Sequence, residues 1–152
     1  MKTTDFSSLL TRYLTHYSPV QRNLSSNTIR SYRDTFKLLL LFCRDVKKFN
    51  ISRLAISMLD KKCIEDFLLW LTNTRGASAS TYNQRLCAIH AFFDYVIAEE
   101  PGLMEQCVQV LNIPHKVAHA PPAHYLTPES LKLLLSMQDK STRKGRRHLV
   151  FI

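Results

Sequence analysis

The stretch SASTYNQRLCAIHAFFDYV, residues 78–96, predicts an amphipathic helix with two very different faces. At helical spacing its large apolar residues form one stripe, which consists of Tyr82, Leu86, Ile89, Phe93 and Val96. The opposite face is small, polar or basic and carries no acid before Asp94; its residues are Ser80, Thr81, Gln84, Arg85, Cys87, Ala88 and Ala91. Because a helix that faces only water usually carries mixed charges, this face is predicted to lie against a partner.

This helix is predicted to be the last of four. Ser78 or Ser80 can cap its start, and Pro101–Gly102 ends it. The helix before it is predicted to begin after the cap Asp60. It stops at Gly76, since glycine suits the left-handed turn that ends many helices.

Two further helices are predicted nearer the start of the chain. Residues 5–17 place large apolar side chains on one face, and Pro19 is predicted to end that helix. The second helix is expected to start with Ser26 or Asn27 as its N-cap. Since no strand pattern of useful length is found, we expect an all-α fold built on a four-helix bundle.

The sequence changes character after the bundle. One short helical piece is predicted between Leu103 and Pro114, followed by a proline-rich extended segment. A new helix then begins with Thr127 as N-cap and Pro128 at its first position, and the chain stops at the apolar residues 149–152. The predicted organisation is a helical domain, a linker and the truncated beginning of a second domain, at residues 1–113, 114–124 and 125–152.

The charge balance favours an acidic partner. The chain of 152 residues has 21 Lys and Arg against 12 Asp and Glu, a formal charge of +9. Such a surplus favours nucleic acid first and anionic membrane second, the alternative being a merely basic soluble protein. No membrane association is predicted, because the apolar stripes are only as wide as a bundle core needs and the longest apolar run, residues 38–42, cannot span a bilayer.

The cysteines indicate a reducing compartment. The chain has 4, none in a CxxC pair, and they are predicted to be free thiols: Cys43, Cys63, Cys87 and Cys107. The first ten residues, MKTTDFSSLL, have no apolar core of signal-peptide length. We therefore expect a soluble protein in the cytoplasm.

No catalytic group, cofactor or metal site is predicted. His115 and His119 have the spacing of two ligands on a helix, but the neighbouring prolines argue against a helix there and no carboxylate or cysteine completes a site. His90 is interpreted as a core or boundary histidine. With 3 glycines in the chain, a glycine-rich phosphate loop is also excluded.

Two helices share the design of an apolar stripe behind a polar, acid-poor front. On the second helix the front holds Ser26, Thr28, Arg30, Arg33 and Lys37, and on the fourth it holds Ser80, Thr81, Gln84 and Arg85. Hydroxyls beside the free N–H groups of a helix start suit phosphate oxygens. Arg and Gln one or two turns further in can reach base edges in a major groove. The alternative is that these residues are ordinary caps and solvated side chains.

Three segments carry a resemblance to a known family. SSNTIRSYRDTFKLLLLFC (residues 25–43) resembles the second helix of the core-binding domain of tyrosine recombinases, the phage integrase family. Residues 78–116 resemble the fourth helix and exit of that domain, and YLTPESLKLLL (residues 125–135) resembles the opening of the catalytic domain. The segments occur in the family's order and spacing and together cover nearly the whole chain.

The resemblance implies a four-helix, SAM-like domain that forms half of a clamp on double-stranded DNA at a core recombination site. By position, Thr28, Arg30 and Asp34 fall on the DNA side of the second helix, and Ser80, Thr81, Gln84 and Arg85 fall on that of the fourth. The family exchanges strands through a phosphotyrosine intermediate in a tetramer of recombinase subunits. Its catalytic residues would follow the end of this chain, so the chain itself is expected to bind DNA without cutting it.

Two other functions remain open from the sequence. An all-α protein-interaction module would use the basic charge for solubility, and exposed apolar residues on the first helix would favour it. A helix-turn-helix transcription regulator is ranked lower, because a long connector separates the second and third helices.

Overall fold

The computed structural model describes residues 5–117 and 127–136. The chain divides into two units, residues 1–118 and 119–152, each of which is described by itself. The first unit contains α1 (Asp5–Arg12), which continues as a π-helix (Tyr13–Gln21), α2 (Ser26–Asp45), α3 (Lys61–Arg75), α4 (Ala79–Glu99) and α5 (Met104–Leu111). The second contains α6 (Pro128–Ser136). No strand occurs in the described ranges, and the predicted all-α fold is confirmed.

Local chemistry sets the ends of the helices. The Asp60 carboxylate accepts a hydrogen bond from the Cys63 N–H at 2.8 Å, and Gly76 ends α3 with a φ of 64°. Both predictions for α3 are confirmed. Ser78 caps α4, as predicted, but α2 is capped by Ser25 rather than by Ser26 or Asn27. The four serines and asparagines at residues 23–27 are chemically equivalent as caps, so the sequence alone does not choose among them.

The prediction that Pro19 ends the first helix is wrong. The helical path continues through it to Gln21 as a π-helix, and the Arg22 N–H still donates to the Tyr17 carbonyl at 3.0 Å. In an α-helix the proline ring would clash with the carbonyl four residues earlier, and the wider π-turn relieves that clash. The first helical segment is therefore longer than the sequence pattern indicates.

The core lies where α4 packs against the other helices. All five apolar residues of the predicted stripe are buried, with Leu86 fully enclosed. Phe92 is also fully buried, and its ring lies 6.0 Å from Phe6, 5.4 Å from Tyr13 and 5.0 Å from Phe36, measured between centroids. One side chain of α4 therefore contacts the first helix, its π-helical continuation and α2.

The end of the first unit is fastened to α4 and to the 3-10 turn Ile56–Met58 that precedes α3. The Gln106 side chain of α5 donates to the Ile56 carbonyl at 2.8 Å. Lys116, beyond α5, is held by Asn83 of α4. The Asn83 side chain donates to the Lys116 carbonyl at 2.7 Å and accepts from the Lys116 N–H at 2.8 Å. The Lys116 ammonium lies 4.3 Å from the Tyr82 ring centroid. The chain is thus held on α4 as far as residue 116.

The predicted linker and second domain are only partly described. Thr127 accepts from the Ser130 N–H at 3.2 Å and Pro128 is the first residue of α6, which confirms the predicted helix start. Residues 118–126, with His119 and His124, and residues 137–152 lie outside the described part. The predicted domain boundaries stay predictions.

Removing the Leu86 side chain should destabilise the first unit strongly. Leu86 is 0% exposed, and a buried leucine replaced by alanine costs about 2 to 5 kcal/mol of unfolding free energy. The control is Leu69→Ala on α3, since Leu69 is 51% exposed and its loss should change stability by no more than about 0.5 kcal/mol. Urea unfolding followed by circular dichroism measures both; equal losses would mean that the buried face is misassigned.

Candidate nucleic-acid interface

α2 and α4 contact one another near their N-terminal ends. Ser31 and Gln84 are each the sixth residue of their helix, and the Gln84 Nε2 donates to the Ser31 Oγ at 3.0 Å. This bond brings the second turn of α2 beside the second turn of α4.

The two starts carry the same capping arrangement. The Ser25 Oγ accepts from the Thr28 N–H, and the Ser78 Oγ accepts from the Thr81 N–H, both at 3.2 Å. In each pair the two hydroxyls also lie within hydrogen-bond distance of one another. The hydroxyls predicted to meet phosphate thus also serve the local fold, and neither role excludes the other because a hydroxyl both donates and accepts.

An open groove lies between the first two turns of α2 and the second and third turns of α4. Its volume is about 320 Å³, and it is lined by Asn27, Thr28, Ser31, Tyr32, Gln84 and Cys87. The walls are therefore hydroxyls, amides, a thiol and one phenol. Such groups hydrogen-bond to phosphate and base edges alike.

The predicted site residues on α2 are not all on the groove side. At 3.6 residues per turn, Arg30 and Asp34 lie within about 100° of Ser31, Lys37 about 120° away and Arg33 about 160° away. Arg30, Arg33 and Lys37 are exposed, and Asp34 is half-buried. The Lys37 ammonium lies 3.9 Å from the Asp34 carboxylate, a distance at which an exposed pair contributes little to stability. Arg30 is thus the basic residue nearest the groove on this helix.

On α4, Ser80, Gln84 and Cys87 share one strip about 60° wide, which lies over the groove. All three are exposed, whereas Thr81 is half-buried. Of the small residues predicted to border a partner, Ala88 is instead fully buried in the core, because Phe92 and Tyr95 widen the buried side of α4. We define the α2/α4 face as the surface formed by Asn27, Thr28, Arg30, Ser31, Asp34, Ser80, Gln84 and Cys87.

Arg85 is placed differently from the other predicted site residues. Its Nη1 donates to the Ser31 carbonyl and to the Thr35 Oγ1, each at 3.1 Å, and its Nε is buried without a partner. The side chain is half-buried. The sequence pattern could not indicate this contact, because it depends on the distance between two helices that are far apart in the chain.

One end of the face carries a thiol and two imidazoles. The Cys87 Sγ lies 3.3 Å from the His115 Nε2, and the rings of His115 and His90 are 5.5 Å apart. Burial and the neighbouring His115 lower the pKa of His90, although a hydrogen bond with the Val110 backbone acts in the opposite direction. The two largest influences thus favour the neutral imidazole. Within residues 5–117 and 127–136, no three His, Cys, Asp or Glu side chains are gathered so that they could hold a metal ion.

Residues 9–102 match the family model described as "Phage integrase, N-terminal SAM-like domain". The chain belongs to the phage integrase family. The predicted resemblance is thereby confirmed, and the bundle of α1 to α4 is the family's SAM-like domain.

Two curated relatives of this integrase-family chain come from Sinorhizobium fredii (strain NBRC 101917 / NGR234). "Putative integrase/recombinase y4rD" is 34% identical over 144 residues, which is 95% of this chain and 51% of that protein. "Putative integrase/recombinase y4rC" is 40% identical over 132 residues, which is 87% of this chain and 40% of that protein. The chain thus spans about half the length of these relatives or less. No solved structure is significantly similar to it.

None of the described helices combines the length and the apolar content needed to cross a bilayer.

A single fast-reacting thiol is expected in the native chain. Cys87 is exposed, whereas Cys43, Cys63 and Cys107 are buried. Hydrogen bonding to Cys63 and burial raise the pKa of the Cys43 thiol, and burial raises that of Cys107. The hydrogen bond with Cys43 lowers the pKa of Cys63, so that thiol is protected by its burial alone. Since the thiolate is the reactive form, an aromatic disulfide reagent should label Cys87 rapidly and the others only on unfolding.

The reaction is followed by absorbance in native buffer and in denaturant. The matched variant is Cys87→Ser, which should lose the fast phase and keep the slow one. A fast phase that persists in Cys87→Ser would contradict the burial of the other cysteines.

Proposed function

We propose that this chain is the DNA-binding arm of a site-specific recombinase and that its α2/α4 face lies against duplex DNA. The observation that carries the proposal is an open polar groove, lined by the first two turns of α2 and by the second and third turns of α4, in a member of the integrase family. The printed names of both relatives describe an integrase/recombinase. DNA is the substrate on which such a protein acts.

Charge and geometry support the proposal. Residues 26–37 hold three basic side chains and one acid, and residues 78–93 hold Arg85 and no acid. A phosphate backbone is attracted by such a surface and by the positive end of the α2 dipole, which borders the groove. Thr28 and Ser80 offer hydroxyls to phosphate, and Gln84 is placed to reach a base edge.

Strand cleavage and rejoining belong, in this proposal, to the parent recombinase rather than to this chain. The match with y4rD covers 51% of that protein. We infer that the catalytic tyrosine and its partners lie in the part of the longer protein that this chain does not match. Assembly with other recombinase subunits on the core site is likewise a property of the longer protein.

The protein-interaction alternative loses its main support. Exposed apolar residues on the first helix would have favoured it, but Phe6, Leu9 and Tyr13 are buried. Along the described first helical segment, Val20 is the large apolar residue that remains exposed. That single side chain does not form a patch.

The test is duplex binding measured against salt. We expect the affinity of this chain for a duplex to fall steeply as salt rises, because bound phosphates release counterions. Replacing Arg30 by glutamine should weaken binding and reduce the slope of log K against log salt by about 0.9, the value for one phosphate contact on duplex DNA. Fluorescence anisotropy with a labelled duplex from low to physiological salt gives both quantities.

The matched control is Arg53→Gln. Arg53 is exposed in the 3-10 turn Ile51–Arg53, which follows the C-terminal end of α2, whereas Arg30 lies near its start. It loses the same charge but should leave the slope within error of the unsubstituted chain. Equal effects of the two variants would indicate a general charge attraction with no defined face, and no binding at low salt would reject the proposal.

A further inference from the structure

Four residues form a hydrogen-bond network that joins α2 to α4, which we call the Ser31 network: Ser31, Thr35, Gln84 and Arg85. The Ser31 carbonyl accepts from the Arg85 Nη1 at 3.1 Å and from the Thr35 hydroxyl at 2.9 Å. The Ser31 hydroxyl accepts from Gln84 at 3.0 Å, and the Thr35 hydroxyl accepts from Arg85 at 3.1 Å. Three of these four bonds cross between the helices.

Most N–H donors of the Arg85 guanidinium are not available to DNA. Both hydrogens of its Nη1 are directed at acceptors on α2, and its Nε is buried. A phosphate normally pairs with an arginine through two parallel N–H groups, and here only Nη2 remains uncommitted. Arg30, in contrast, is exposed and its side chain has no partner among the described residues.

The network joins the α2 part of the α2/α4 face to its α4 part, and Ser31 and Gln84 belong to both the network and the face. Thr28 and Arg30 precede Ser31 on α2, while Ser80 and Gln84 precede Arg85 on α4. Phosphates along a duplex have a fixed spacing, so groups on two helices can engage them together only if the helices keep their separation. Apolar packing below tolerates small sliding movements, whereas directional bonds to a backbone carbonyl restrict them.

We infer that Arg85 is a positioning residue, which fixes the separation of α2 and α4 for duplex binding, rather than a residue that contacts phosphate. The inference rests on the proposed function of the α2/α4 face. It differs from the role expected from the sequence, in which Arg85 is one of the DNA contacts. The two roles give opposite expectations for the salt dependence of binding.

Thr35 provides the decisive variant because it is 0% exposed and cannot touch DNA. Thr35→Val keeps the shape of the side chain but removes the acceptor for Arg85, and Thr35→Ser keeps the acceptor. Arg85→Gln removes the guanidinium, and Arg85→Lys keeps the charge without the two-pronged geometry. Arg30→Gln serves as the reference for a phosphate contact.

We expect Thr35→Val and Arg85→Gln each to weaken duplex binding by about 3- to 30-fold, the range for residues that act through a network. The salt slope should stay at the value of the unsubstituted chain in both. Thr35→Ser should bind normally, and the double variant should be no weaker than Arg85→Gln alone, since both remove one network. Thermal melting by circular dichroism identifies any variant that does not fold.

If Arg85→Gln or Thr35→Val does not fold, Arg85→Lys decides. A positioning role predicts weaker binding at an unchanged slope, and a phosphate contact predicts nearly normal affinity and slope. A slope lowered by about 0.9 in Arg85→Gln, together with normal binding of Thr35→Val, would overturn the inference and leave the proposed function intact. Failure of the unsubstituted chain to bind duplex would instead reject the proposed function, and the inference with it.

Discussion

The packing of the Phe92 ring is the contact on which the rest of the first unit depends. Its edge-to-face contacts join the first helix, the π-helical continuation and α2 to α4, so a single buried side chain orients four helical segments. Each such ring pair contributes about 0.5 to 1.5 kcal/mol beyond the area it buries. More important is the geometry: because α1 and α2 are held against one side of α4, the second turn of α2 is brought beside the second turn of α4.

This arrangement explains why the polar face exists where it does. The large side chains of α2 and α4 are used in the core, and what remains at their starts is short, hydroxylated or basic. Two serine caps satisfy one N–H of each helix and leave others free near the groove. The Ser31 network then joins the two helices through hydrogen bonds rather than through apolar contacts. A surface built in this way is firm enough to hold hydrogen-bonding groups at fixed distances from one another.

The sequence predicts the regular parts of the fold and the general position of the face. Strong periodicity and specific cap residues, Asp60 and Gly76 for α3 and Ser78 for α4, specify these helices because such signals act within a few residues. The π-helix through Pro19 is not predicted, since a proline in a helical pattern usually ends the helix. The longer helical path is accompanied by packing of Tyr13 and Tyr17 against Tyr95, a contact that the local sequence pattern does not indicate. The widened buried side of α4 is missed because Phe92 lies off the main stripe and finds its partners on three other segments.

The candidate site is predictable only as a set of residue types. Thr28, Arg30, Ser80 and Gln84 are identified from their place on a helix, and the structure puts them around or beside one groove. Arg85 looks the same in sequence, yet its partners Ser31 and Thr35 are 54 and 50 residues away, so its burial follows from tertiary structure alone. The contact between Asn83 and Lys116 likewise cannot be predicted from the sequence, because its bonds join a side chain to a distant backbone.

The measurement that tests the account most directly is amide hydrogen exchange of this chain with and without a duplex at low salt. Binding through the α2/α4 face predicts slower exchange at the first turns of α2 and α4, around residues 26–34 and 79–87, with α3 and α5 unchanged. Protection confined to α3 or α5, with no change at the two helix starts, would contradict it and place the DNA on another side of the bundle.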